Sequence, residues 1–336
     1  MSATMKDVAR LAGVSTSTVS RVLANHPAIS AETASRVRLA MQQLNYQPNQ
    51  IARSLSNRAT HTIALIMPDP ANYPLMNPFF VNAIRGVSTY ARKHQYYLLL
   101  TYPENHNELD LITDLIGSRR VDGVILTTVK KDDTATAQLE QAQLPYVVIG
   151  HPYHDEKALW VDNDNFGIIY EVTTRLIEQG HRAIAYLGGA DDFRVTLDRF
   201  QGYLAALRDH QIEPDPRLIY SKWFTENIAA EITREILAYK MPDAVIATDD
   251  TLALGVERAL SEQHHTHDVA VVGFNNTQVA AFVRPSLSSV EINAELLGFQ
   301  AARLLINSLE GKPLHTNHIL VNAEFIERES SRVRRG

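Results

Sequence analysis

Asp7-Val-Ala-Arg-Leu-Ala-Gly-Val-Ser-Thr-Ser-Thr-Val-Ser-Arg-Val-Leu23 reads as two short helices interrupted at Gly13. Val8, Leu11 and Ala12 stand at i, i+3 and i+4 on the first, and Val19, Val22 and Leu23 repeat that spacing on the second. Each helix therefore carries one apolar stripe, and two such stripes joined by a tight turn pack together as a helix-turn-helix. Gly13 supplies the positive φ that a β-carbon resists. Ser15 is placed to cap the second helix, and Thr4 with Asp7 makes a capping-box start to the first. The opposite face of the second helix carries Thr16, Ser17, Ser20 and Arg21, all able to hydrogen-bond base edges or phosphates. The stretch predicts a head that binds duplex DNA.

A third helix is expected from Ser30 through Val37, Met41 and Leu44, closing a three-helix head, with Tyr46-Gln-Pro48 ending it because the residue before proline avoids helix. Asn49 to Asn57 shows a short helical pattern with Ile51, Ala52 and Leu55 and no core to pack against. About 12–15 residues are needed for a helix to persist alone in water, so this segment is expected to fold only against DNA and a second copy of itself. Residues 1–60 hold seven Lys/Arg against Asp7 and Glu32, a balance of +5; the total is −6, so the remainder carries −11. A basic head on an acidic body suits a protein whose head meets DNA while DNA repels the rest.

The chain of 336 residues is long enough for two or three domains, and 45% hydrophobic with 21% charged residues is ordinary for a globular protein. The absence of cysteine excludes disulfides and thiolate chemistry. Neither a signal peptide nor an apolar run of about 18 residues is apparent, so a cytoplasmic protein is expected.

From His61 onward the pattern alternates strand and helix. Apolar runs at Thr62–Met67, Tyr96–Thr101, Val121–Thr127 and Tyr146–Ile149 read as buried parallel strands, with helices near 79–94, 106–118 and 132–143. The alternation resumes with strands at Ala183–Leu187, Leu218–Tyr220, Ala244–Ala247 and Val269–Val272, and helices near 166–180, 199–211, 226–240 and 251–263. Repeated βα units predict an α/β fold with helices on both faces of parallel sheets, and the strands are too many for one small sheet. Two lobes follow, with a helix near 294–310 and strands near 319–328 crossing back to complete both. The expected division is a head over 1–48, a hinge over 49–60, a first lobe of 61–160 with 291–320, and a second of 161–290 with 321–330.

The Asp-Val-Ala-x-x-Ala-Gly-Val-Ser-x-x-Thr-Val-Ser-Arg-Val run resembles the lactose-repressor (LacI) family, as do Leu44-Asn-Tyr-x-Pro-Asn49 and Ala52-Arg-Ser-Leu55. In the body, Gly-His-Arg at 180–182, Arg199-x-x-Gly-Tyr203, Asp250-Thr-Leu-Ala-Leu-Gly255 and Val271-Val-Gly-Phe-Asn275 extend the likeness over nearly the entire chain. The resemblance implies a homodimeric transcription regulator with a periplasmic-binding-protein-like core and a small-molecule effector between its lobes. It places Thr16, Ser17 and Arg21 where members read bases in the major groove, Arg21 being suited to guanine O6 and N7. Asn25, Ser30, Tyr46 and Asn49 are candidate backbone clamps, with a cap or turn role as the competing reading of each. Leu55 stands where the family has a wedge for the minor groove at the operator centre, a kink costing about a few kcal/mol; an ordinary linker leucine is the alternative. Half-sites related by two-fold symmetry would match the dimer.

Ligands of doubly wound sheets bind at the carboxyl ends of the strands, where Arg199 and Asp250 both fall. In sugar-responsive relatives these positions hydrogen-bond hydroxyls, and an Arg–Asp set fits a vicinal diol; an ion pair closing a helix start competes. Phe224 and Trp160 match positions where aromatic faces pack on the effector, with core packing as the alternative. Phe79 is expected on the other wall, and His151 and Asn276 are further cleft candidates near strand ends. Phe274-Asn-Asn276 and Ser288-Ser-Val-Glu-Ile-Asn293 resemble maltose-type regulators of Gram-positive bacteria, which implies release by maltose or a related oligosaccharide. Alternatives are a nucleobase corepressor or a phosphocarrier protein docked on the body and, more remotely, a transport solute-binding protein. His264, His265 and His267 lie in a polar loop without metal-ligand spacing. Asp191-Asp192 and Asp249-Asp250 lack an accompanying nucleophile, and Gly188-Gly189 is no dinucleotide fingerprint. Neither cofactor, metal nor catalysis is expected, and no leucine heptad near the carboxyl end supports a tetramer.

Overall fold

The computed structural model describes residues 3–23, 26, 28–46, 59–68, 77–103, 107–131, 134–153, 158–189, 192–221 and 225–332. The chain forms two compact units, 1–60 and 61–336.

In the first unit, α1 (Met5–Ala12), α2 (Thr16–Leu23) and α3 (Ala31–Gln43) surround Val8, Ala9, Ala12, Val19, Val22, Val37 and Ala40. Burying each valine contributes about 1.5–3 kcal/mol. The capping box is formed: Thr4 Oγ1 accepts from the Asp7 N–H while the Asp7 carboxylate accepts from the Thr4 N–H. Gly13 sits at φ 65°, with open space where a Cβ would be, so backbone conformation alone requires glycine there. Ser15 Oγ accepts from the Thr18 N–H and caps α2. Leu11 departs from expectation, being 51% exposed. α1 packs on both α2 and α3, so its buried arc runs from Val8 to Ala9 around Ala12 and leaves Leu11 outside. α3 also ends before Pro48 acts: Asn45 turns left-handed and the Tyr46 N–H closes on the Met41 carbonyl.

The second unit holds two six-stranded sheets. The first comprises β1 (Thr62–Ile66), β2 (Tyr97–Thr101), β3 (Gly123–Leu126), β4 (Tyr146–Ile149), β5 (Leu159–Asp162) and β11 (His318–Leu320), in the order β11-β5-β4-β3-β1-β2, all parallel. The second comprises β6 (Ile184–Gly188), β7 (Ile219–Ser221), β8 (Ala244–Ala247), β9 (Ala270–Phe274), β10 (Ser288–Glu291) and β12 (Glu324–Ile326), in the order β12-β10-β9-β8-β6-β7. Only β12, against β10, runs antiparallel.

Apolar residues cover both faces of each sheet, which explains the continuous hydrophobic runs of the central strands. On the first sheet, α4 (Pro78–Lys93) and α12 (Ala294–Leu309) bury Val87, Ala91, Leu297 and Leu305 on one face; α5 (Glu108–Ser118) and α6 (Thr134–Gln141) bury Ile112, Leu115 and Leu139 on the other. On the second, α7 (Asn165–Glu178) and α8 (Arg194–Asp209) contribute Ile169, Val172 and Tyr203, while α9 (Glu226–Tyr239) and α10 (Asp250–Glu262) contribute Ile232, Ile236, Leu252 and Val256. A short α11 spans Gln278–Phe282. α4 and α12 approach backbone to backbone: a Cβ at Gly298 would overlap the Ala83 carbonyl, and one at Gly86 would overlap that of Glu295.

The chain passes between sheets three times, after β5, after β10 and between β11 and β12. β5 and β10 were not among the expected strands; each is four residues long and mixes polar with apolar positions, as in Leu-Trp-Val-Asp and Ser-Ser-Val-Glu. α8 starts at Arg194, five residues ahead of expectation, with Phe193 as an N-cap that makes no side-chain hydrogen bond and so leaves no start signal.

Candidate functional site

α2 presents Thr16, Ser17, Ser20 and Arg21 on its exposed face. Ser17 Oγ lies 2.7 Å from Ser15 Oγ, joining it to the capping cluster. Ser30, a candidate clamp, is the N-cap of α3 and accepts from the Thr33 N–H, while Tyr46 packs half-buried against the head core. Asn25, Asn49, Leu55 and Phe224 fall outside the described residues.

In each sheet the strand order reverses beside the strand that comes first in sequence, between β1 and β3 and between β6 and β8, and crevices open at such carboxyl ends. Arg199, in the second turn of α8, reaches this point in the second sheet. Its Nε donates to Asn165 Oδ1 at 2.9 Å, its Nη1 donates to the Thr248 carbonyl at 3.0 Å, and its guanidinium lies 4.4 Å from the Phe274 ring centroid. Burial works against the guanidinium charge, and Asp162 and Asp249 offset part of that cost.

The two acids after β8 divide their roles differently from expectation. Asp250 is 1% exposed; Ser289 Oγ donates to its Oδ1 at 2.6 Å and the Thr277 N–H to its Oδ2 at 2.7 Å. Burial pushes its carboxyl up to about 6. It is a strut between α10 and the β9–β10 end, with both oxygens engaged. Asp249 takes the cleft position. As N-cap of α10 it accepts from the Thr251 N–H at 2.7 Å, and its Oδ2 accepts from Asn275 Nδ2 at 2.7 Å and Asn77 Nδ2 at 2.9 Å. Asn77 caps α4 of the first lobe, so this bond crosses the cleft. Burial raises the Asp249 carboxyl, while bonds from Thr251 and Asn77 and the Arg199 charge pull the other way.

Asn276 shows the same one-residue displacement. Its amide donates to Glu291 and its carbonyl oxygen accepts from Arg328, so it is tied into the second lobe while Asn275 faces Asp249. Trp160 is stacked between His151 (4.5 Å) and His318 (4.6 Å) and packs against the α5–α6 side of the first sheet. The two imidazoles and the surrounding cluster fit the core-packing alternative for Trp160. Burial first, then Arg194, pushes the His151 imidazole down. Phe79 packs against core residues of both lobes.

Asp162, at the end of β5, was not foreseen. Its Oδ1 accepts from the Asn163 N–H at 2.7 Å and from Asn165 Nδ2 at 2.8 Å. Burial pushes the carboxyl up to about 7, against the pull of Asn163, Arg199 and Asn165. A second tie spans the lobes: Lys131 N–H donates to the Asp192 carbonyl at 2.9 Å and Arg194 N–H to that of Val129 at 3.1 Å, pairing Lys130 with Phe193 in an antiparallel bridge. The arrangement offers a cation, partly engaged acids and several amides around one crevice, suited to a polyhydroxylated neutral ligand.

Among the described residues no helix is long and apolar enough to cross a membrane, and no group of three or more His, Cys, Asp or Glu could hold a metal ion. The His264–His267 loop instead pairs His265 with Asp268 at 2.8 Å.

Residues 4–49 match the model for bacterial regulatory proteins of the lacI family, and residues 173–331 match a periplasmic binding protein-like domain. The HTH-type transcriptional regulator CelR of Thermobifida fusca is 34% identical over 97% of this chain and 98% of its own. The HTH-type transcriptional regulator MalR of Streptococcus pneumoniae is 36% identical over 89% of this chain and 90% of its own. Among solved structures, a complex of transcriptional regulator CelR with cellobiose superposes with a TM-score of 0.76 at 33% identity, covering 98% of this chain and 99% of that one.

Proposed function

The chain belongs to the lacI family of bacterial regulatory proteins, and on that premise we propose that it is a DNA-binding repressor of carbohydrate-utilisation genes released by a glucose disaccharide. It is a transcription regulator and not an enzyme. The observation that carries the sugar reading is the Asn77–Asp249 hydrogen bond across the cleft, beside Arg199 and Asn275. Donors and acceptors in fixed alternation match hydroxyls that both give and accept. A relative solved with cellobiose and a neighbour described as a probable maltose operon repressor support cellobiose and maltose as the candidates.

In this reading Arg21 grips a guanine, Thr16, Ser17 and Ser20 contact neighbouring groups, and Leu55 wedges the minor groove of a two-fold operator held by a homodimer. The division into head, hinge and two lobes given above is the frame of the proposal, and a protein that acts on operator DNA is placed in the cytoplasm. The sugar acts by favouring one lobe arrangement over the other, because only unequal affinity shifts such an equilibrium.

Electrophoretic mobility shift on the chain's own promoter region tests this. Retardation that maltose or cellobiose reverses is the expected result. Sugar-insensitive retardation rejects the disaccharide, and absence of retardation rejects operator binding.

A further inference from the structure

The described residues contain an unbroken hydrogen-bonded path from the cleft to all three interlobe crossings. It begins at Arg199, whose Nε donates to Asn165 Oδ1 at 2.9 Å. The amide of Asn165 donates in turn to Asp162 Oδ1 at 2.8 Å. The same carboxylate oxygen accepts the Asn163 N–H at 2.7 Å. The side-chain amide of Asn163, 5% exposed, then spends both protons on the other two crossings, one on the Val321 carbonyl at 2.8 Å and one on the Ile292 carbonyl at 3.1 Å. Asn163 itself lies on the first crossing, between β5 and α7. One residue therefore ties together three crossing segments, its own by the backbone and the other two by its side-chain amide.

We infer that Asn163 is a positioning residue that couples effector occupancy at Arg199 to the relative setting of the two lobes. The inference rests on the cleft being the effector site. A ligand that draws on Arg199 competes with the Arg199–Asn165 bond, and any adjustment of Asn165 is felt by Asp162, whose one oxygen serves both amides. Asn163 has no spare donor, so turning its amide weakens at least one tie between crossings. Chain crossings are where lobe rotation concentrates its φ/ψ change. Asn293 on the second crossing reinforces the cluster, donating to the Asn322 carbonyl on the third at 2.9 Å. A buried amide whose donors are both committed to carbonyls is costly to disturb, which makes it a discrete element rather than a soft one.

The test uses the full chain and two variants. In hydrogen–deuterium exchange without sugar, Asn163→Ala is expected to speed exchange of peptides spanning 290–294 and 319–323 about tenfold. Asn165→Ala, which removes no hydrogen bond to either peptide, is expected to speed them about threefold. If Asn165→Ala leaves both peptides at the wild-type rate, the relay is overturned, whether or not any sugar binds. The second readout is the factor by which maltose or cellobiose weakens operator binding. In Asn163→Ala that factor is expected to fall to about one while sugar affinity changes less than about threefold and sugar-free operator affinity holds. A retained factor also overturns the coupling. Failure of both sugars to bind the wild-type chain rejects the effector reading, and the exchange experiment still decides the relay. A merely structural Asn163 would lower Tm and leave the coupling factor untouched.

Discussion

The two lobes repeat one sheet plan and equip the cleft differently. The second lobe supplies Arg199, Asp249 and Asn275, each held by bonds within its own lobe: Arg199 to the Thr248 carbonyl, Asp249 to the Thr251 N–H, Asn275 to Asp249. The first lobe supplies Asn77, which caps its own helix with one end of the amide and reaches Asp249 with the other. The second lobe is thus a prearranged wall, and the first meets Asp249 through the neutral amide of Asn77. Preorganisation of the charged side keeps the ordering cost of binding low, and a neutral amide as the contact to Asp249 keeps that contact weak and therefore reversible.

Removing the charge of the fixed wall should have the largest effect. Truncating one partner of a buried, hydrogen-bonded charge set costs about 2–5 kcal/mol, so Arg199→Ala is expected to weaken disaccharide binding at least about thirtyfold by calorimetry. Binding retained within about threefold would show that the wall is not where affinity resides. The Asn77 contact should matter less. Asn77→Ala forfeits the cap of its own helix, which lowers stability, and one cross-cleft hydrogen bond of about 1 kcal/mol, whose loss should weaken the same binding about fivefold. An effect equal to that of Arg199→Ala would erase the distinction between the lobes.

The smallest expected effect concerns pH. The second lobe holds Asp250, raised to about 6, and Glu257 on α10, raised by burial to about 8. Both Glu257 carboxylate oxygens are buried with no hydrogen-bond partner among the described residues. The folded values lie above the unfolded ones, so the folded state holds the extra protons. Their contribution to stability is full below about pH 4 and is lost as pH climbs through 6 for Asp250 and through 8 for Glu257. Calorimetric melting should show Tm falling a few degrees between about pH 5 and pH 8.5, and Glu257→Gln should flatten the upper part of that fall. An unchanged slope in that variant would assign the loss elsewhere.

The head and the βα alternation were legible because each depends on local pattern. Val8, Ala12, Val19 and Val22 are buried as their spacing requires, and β4 and β8 occupy Tyr146–Ile149 and Ala244–Ala247 as expected. Arg199 was legible as a crevice residue because it follows the β6 end. The acids were not separable by pattern. Asp249 and Asp250 are one residue apart at a helix start, where successive side chains diverge by about 100°. Which of them meets Thr277 and Ser289, and which meets Asn77, depends on contacts made up to 172 residues away. Asn275 and Asn276 pose the same problem, since both adopt left-handed backbone and either side chain has amide partners within reach. Asp162 was hidden because β5 follows a polar stretch and is only four residues long. A signal was nevertheless present for Asp249: an N-cap Asp just past the end of a central strand is already aimed at the crevice.

The pairing of Lys130 with Phe193 is made wholly of peptide groups. Side-chain replacement along that rim leaves its donors and acceptors in place, proline at 131 or 194 excepted. The walls are then free to drift toward a new sugar while the mouth continues to shut in the same way. Exchange of ligand taste and retention of the closing motion are separable properties of such a sensor.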